Sequence, residues 1–296
     1  MRIVLLLIIG LFILAGCEGD QGPQGPAGGD GSDGSDWPGP PPDEYVNADG
    51  IAGGAAYAKW WTAGAGGSGQ PNTNVGADFY RCKACHAWDG MGNAASYADR
   101  TGQSTDTDTR PDVSSVNLRS TAESESFEEL FNLVRHVGAR GIDASDNTHP
   151  DFSQELTDAQ VWNIVKFMRE EWVDPNLLYD IEVSGPAMHW DYTQATPVLV
   201  KPAVNYSNVG ALGDEANGQA IYTAKCADCH GDQGLTHDIG GRSLGQFIRE
   251  KPNEGWFKAK FGEDGTGMDP GLVTSTSDLQ DLYKALANSA NFPDLP

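Results

Sequence analysis

Apolar side chains return at helical spacing in three stretches of this chain, and polar, glycine-rich runs without periodicity separate them. Phe127, Leu130, Phe131 and Val134 recur every three or four positions, which predicts an amphipathic helix over 126–137. At 100° per residue His136 falls about opposite Phe127, so it is expected on the polar, solvated face. A second helix is predicted behind Thr157-Asp-Ala-Gln160, where threonine and glutamine cap each other's backbone N–H groups. Val161, Ile164, Val165, Met168 and Trp172 share one of its faces. Ser277-Asp-Leu-Gln280 repeats the cap before Leu279, Leu282, Tyr283 and Leu286. The segment from Ile51 through Tyr57 to Trp60-Trp61 mixes small residues with three aromatics and fits a helix that covers something. From Ala87 to Asn117 the chain is polar and turn-rich, a loop of a length that calls for a ligand to organise it. Prolines 186, 197 and 202 flank a Val198-Leu-Val200 run, which reads as a linker or a short strand.

The N-terminus follows other rules. Arg2 precedes an apolar run from Ile3 to Leu14 that is short for a membrane span and ends in Leu14-Ala-Gly-Cys17. This predicts a signal peptide over 1–16 with a lipobox, and lipidation of Cys17 after cleavage. Glycine then stands at every third position from Gly19, and Trp37-Pro-Gly-Pro-Pro-Pro42 follows. The triplets are collagen-like but too few and too acidic for a stable trimer. Residues 17–44 therefore read as a lipid anchor with a solvated tether, about 80–90 Å long if extended at about 3.1 Å per residue.

Length and charge narrow the rest. With 296 residues, 39% of them hydrophobic, the chain has room for two modest domains and a leader. A formal charge of -23 argues against nucleic acid and against electrostatic adhesion to an anionic membrane. It suits a partner with a basic docking surface, and it also keeps an exported protein soluble.

Five cysteines carry the candidate chemistry. Besides Cys17, four form Cys82-Lys-Ala-Cys85-His86 and Cys226-Ala-Asp-Cys229-His230. In Cys-x-x-Cys-His the thiols sit about one turn apart, so they can add to both vinyl groups of one haem while the imidazole reaches the iron from the same side. A redox dithiol or half of a zinc site is the alternative for each motif. More than a hundred residues separate the two, outside the usual zinc-ribbon spacing. No cysteine is left for a disulfide.

Gly218-Gln-Ala-Ile-Tyr-Thr-Ala-Lys-Cys-Ala-Asp-Cys-His-Gly231 resembles the opening helix and haem motif of the class I c-type cytochromes. Gly76-Ala-Asp-Phe-Tyr-Arg-Cys-Lys-Ala-Cys-His86 likewise carries a glycine and an aromatic ahead of its cysteines, somewhat closer to them. The resemblance implies a mainly α fold with two cytochrome c-like helical domains around two covalently bound haem c groups. They are expected over 45–185 and 213–296, joined by a linker over 186–212. It also implies His86 and His230 as proximal iron ligands, and a distal ligand shortly before each last helix. Met268-Asp-Pro270 and His149-Pro150 occupy those places, eight or nine residues before the predicted caps. Met91 and His237 follow their proximal histidines by only five and seven residues, at most about 17 and 23 Å of extended chain, too little to round the macrocycle with a folded loop. The expected function is electron transfer between redox partner proteins by an exported lipoprotein, periplasmic or at the cell surface, held to the membrane by its lipid. A dihaem cytochrome c peroxidase-like enzyme is the alternative, although no catalytic residue presents itself.

Overall fold

The computed structural model describes residues 40–67, 81–92, 116–136, 149, 152, 153, 155–186, 189–191, 195, 196 and 198–296; the leader, Cys17 and the tether lie outside them. Among the described residues the protein is mainly helical. The chain runs through α1 (Asp43–Val46), α2 (Gly50–Lys59), α3 (Cys82–His86), α4 (Leu118–Ser124), α5 (Phe127–Arg135) and α6 (Asp158–Lys166). A nested antiparallel ribbon follows. In it β1 (Asp180–Ser184) pairs with β4 (Ala203–Ser207), and β2 (His189–Asp191) with β3 (Val198–Val200). Then come α7 (Glu215–Lys225), α8 (Ala227–His230), α9 (Leu244–Glu250), α10 (Pro252–Phe261) and α11 (Thr276–Ala287). The expected linker thus carries a ribbon whose first strand starts before it, because Tyr179 and Tyr206 stack edge to face at 5.5 Å where β1 and β4 meet.

Helices α2–α6 and α7–α11 are two copies of one arrangement, visible bond by bond. Asp49 caps α2 and its N–H donates to the Asn163 side chain on α6 at 2.8 Å. Asp214 caps α7 and its N–H donates to the Asp281 carboxylate on α11 at 2.6 Å. Four residues on, a Cβ at Gly53 would lie 1.9 Å from the Asn163 carbonyl oxygen, and one at Gly218 1.8 Å from that of Asp281. Each opening helix therefore crosses its closing helix backbone to backbone, which only glycine permits. The stripe on each closing helix is core: Val161, Ile164 and Val165 in one, Leu279, Leu282 and Leu286 in the other are buried.

The caps confirm one sequence prediction and shift another. Thr157 and Gln160 form the reciprocal cap as expected. In the second copy the cap is Ser275, whose side chain accepts from the Asp278 N–H, so α11 starts earlier than Ser277. Such a cap contributes about 1 kcal/mol, and Ser275 has the extended backbone, φ -76° and ψ 134°, that an N-cap needs. Helix α6 ends in a π turn, Phe167–Glu171, which turns Phe167 as well as Met168 into the core.

The two copies also pack on each other, within one compact unit spanning Pro41–Pro296. Gly54 leaves room for the Phe261 ring of α10, which a Cβ would approach to 2.3 Å. Phe257, one turn earlier, meets Tyr57 at 5.9 Å and Trp88 at 5.0 Å between ring centroids. Lys260 is buried beside them, donating to the Glu171 carbonyl at 2.8 Å and pairing with its carboxylate at 3.0 Å. A buried ammonium is tolerated because carbonyl and carboxylate both receive it.

Candidate haem-binding sites

Both Cys-x-x-Cys-His motifs fold as a short helical turn, α3 and α8, which brings each pair of thiols to one side with its histidine. The residue after each histidine takes positive φ, Ala87 at 61° and Gly231 at 77°, and so turns the chain sharply away. Its carbonyl is then held by a tyrosine of the opening helix. Tyr57 donates to Ala87 O at 2.6 Å, and Tyr222 donates to Gly231 O. The histidine carbonyls are held as well, accepting from the Gly92 N–H at 3.0 Å in the first site and the Thr236 N–H at 3.1 Å in the second. A third bond repeats: Leu118 N–H donates to Gly90 O, and Leu244 N–H to Gly234 O, tying α4 and α9 to the turn behind each motif. Two sites with the same scaffold of hydrogen bonds result.

The thiols sit in surroundings that favour their neutral form. Burial pushes the Cys82 thiol up to about 12 and Cys226 up to about 11, and the neighbouring cysteine of each motif raises them further. A zinc ligand or redox dithiol needs the thiolate, which this burial disfavours. A thioether is neutral and loses nothing there. Among the described residues no group of three or more His, Cys, Asp or Glu side chains is placed to hold a metal ion by itself. Nδ1 of His86 and of His230 is buried without a hydrogen-bond partner among the described residues. Burial lowers His86 to about 3, helped by the nearby charge of His149, so the imidazole is neutral and free to donate its lone pair to iron.

A model of the cytochrome c family matches residues 74–172, and the model of cytochrome c oxidase, cbb3-type, subunit III matches residues 213–284. Two c-type cytochrome domains stand in tandem in this chain. No curated protein and no solved structure matches it. The cytochrome is thus an electron-transfer haem protein, and its domains imply covalently bound haem c. Cysteines that form no disulfide and a buried, neutral His86 imidazole fit that group. The first match starts at 74 and leaves out α2, although α2 holds the place that α7 holds in the second copy. Gly76 to Tyr80, which mimic the opening helix in sequence, lie outside the described residues.

The distal candidates of the cytochrome occupy different surroundings. His149 lies close enough to His86 to act on its charge, and its ring meets Phe152 at 5.7 Å. Met268 is half-buried in the loop between α10 and α11, where its carbonyl accepts from the Glu263 N–H at 3.0 Å. That loop is tied to the helix delivering the second motif, since Lys225, next to Cys226, donates to Leu272 O at 2.7 Å. His237 is exposed beside His230, ring centroids 5.6 Å apart. His136 departs from expectation. It lies beyond α5 as its left-handed cap, φ 64°, so the helical wheel does not apply to it, and it is buried at 4% exposure.

Sequence reasoning missed the roles of Asp49 with its partner Asn163 and of Tyr57 with its partner Ala87. The signal was present as Asp-x3-Gly-x3-Tyr in both Asp49-Tyr57 and Asp214-Tyr222. It was obscured because Tyr222 stands four positions before Cys226 whereas Tyr57 stands twenty-five before Cys82.

Proposed function

We propose that this cytochrome is an exported, lipid-anchored dihaem electron carrier that passes electrons between redox partners in the cell envelope or at the cell surface. The observation that carries the count of two is the repeated scaffold: each motif has its own tyrosine holding the carbonyl behind its histidine. Cys82 and Cys85 hold one haem and Cys226 and Cys229 the other, with His86 and His230 as proximal ligands and His149 and Met268 as distal ones. The bound haems supply the reversible one-electron change of their iron. The chain's part is to place them, choose their axial donors and keep water off. The domains are taken as 45–185 and 213–296, and a partner with a basic surface complements the charge of -23. No helix among the described residues is long and apolar enough to cross a membrane. Leu14-Ala-Gly-Cys17 supplies the anchor in this reading, and about 80–90 Å of extended tether lets the haem domains work away from the bilayer.

The mass of the purified mature protein tests the count: two haem increments are expected, and one increment, or bound zinc, overturns it. Cys17→Ser is expected to abolish lipidation and the processing that depends on it, whereas the mature chain exported behind an ordinary secretory leader should be soluble. Recovery of the unmodified wild type as a soluble species without detergent would refute the anchor.

The two donors set a direction for electrons. Methionine is a weaker donor than imidazole and favours ferrous iron, so a His/Met haem titrates above an otherwise similar bis-histidine one. Two redox steps are expected, with Met268→His lowering the upper and His149→Met raising the lower. If His149→Ala leaves the lower step and its six-coordinate spectrum unchanged, His149 is not the ligand.

A further inference from the structure

His136 is buried, yet neither of its ring nitrogens has a hydrogen-bond partner among the described residues. Each such orphan costs about 1–3 kcal/mol, so a native structure keeps one only where something else completes it. Its backbone is held firmly in place, for the His136 N–H donates to Asn132 O at 2.8 Å and φ is 64°, a conformation histidine adopts more readily than most residues. The ring it faces is His149, centroid to centroid 5.3 Å with planes tilted by 50°. Two imidazoles joined by one N–H···N bond of about 3 Å have centroids about 5 Å apart. The separation leaves room for one such bond between the rings, although their nitrogens are not aligned for it in this structure.

We propose that His136 is a positioning residue for the first haem: it accepts the outer N–H of His149, fixes that imidazole's tautomer and makes it a stronger donor. Histidines that ligate a metal almost always donate their other N–H to a neighbour, and that neighbour tunes the basicity of the ligand. A carboxylate or carbonyl is the common choice, whereas here a second imidazole takes the part. The same bond completes one of the two orphaned nitrogens of His136. This inference rests on His149 being the distal ligand.

The test is a redox titration and a spectrum of the full two-haem protein carrying His136→Phe, His136→Gln or His149→Ala. His136→Phe should leave the first haem low-spin and six-coordinate while raising its potential, with the second haem unmoved. His136→Gln keeps an acceptor and should restore the potential part of the way, and it serves as well if the phenylalanine variant misfolds. An unchanged potential in both His136 variants overturns the proposal and leaves the ligand assignment standing. Conversion of the first haem to high spin by His136→Phe, with His149→Ala remaining low-spin, makes His136 itself the ligand and overturns both. High spin in His149→Ala alone upholds the ligand assignment on which the proposal depends.

Discussion

Cys82→Ala combined with Cys85→Ala is expected to leave one covalently bound haem, held by the second motif. In the proposed assignment both thioethers to the first haem come from one turn of helix, so removing that pair would remove the whole attachment and touch nothing at Cys226 or Cys229. The first copy should also lose stability, because its turn-rich segments would no longer close around a cofactor. The cost should at least match the about 3–5 kcal/mol of an aromatic-to-alanine truncation in a packed core. Part of that loss should reach the second copy, since Phe257 packs against Trp88 and Tyr57 beside the first site. Mass spectrometry and thermal melting measure both effects. A double variant that still carries two haem increments would refute the assignment of the motifs.

Gly53→Val and Gly218→Val should each destabilise the protein by more than the about 1–3 kcal/mol of ordinary overpacking. A Cβ at either position falls within 2 Å of a backbone carbonyl oxygen on the facing helix, and backbone cannot rotate aside as a side chain would. The helices would have to separate, which breaks the Asp49 to Asn163 or Asp214 to Asp281 bond and draws Tyr57 or Tyr222 away from the carbonyl behind the haem histidine. Gly267→Ala is the matched control, for a Cβ there meets nothing within 4 Å. Melting of the haem-loaded proteins compares them. If Gly53→Val melts with the Gly267→Ala control, α2 is not the crossing helix of the first domain.

Much of the chemistry could be read in one dimension because it is local. Cys-x-x-Cys-His has its meaning within five residues, and the structure folds both copies as single turns. The stripes of α5, α6 and α11 were equally legible, since burial of one helical face imposes its period on the sequence. The predicted end of α5 failed at His136, where a left-handed residue rotates the side chain off the wheel. The start of α11 was displaced because Ser277-Asp-Leu-Gln280 imitates a cap two residues inside the true one, Ser275.

Sequence alone determined that this is a tandem of haem motifs on a mainly helical chain, because covalent attachment and amphipathic helices are short-range properties. Tertiary structure decided what only distant contacts can. It put α2, with Gly53 and Tyr57, in the crossing helix's place, since a backbone-to-backbone crossing depends on Asn163, more than a hundred residues away. It placed Phe257 and Phe261 of the second copy against the first. It also brought His136 beside His149, a pairing invisible to periodicity because loop residues owe their place to what they pack against.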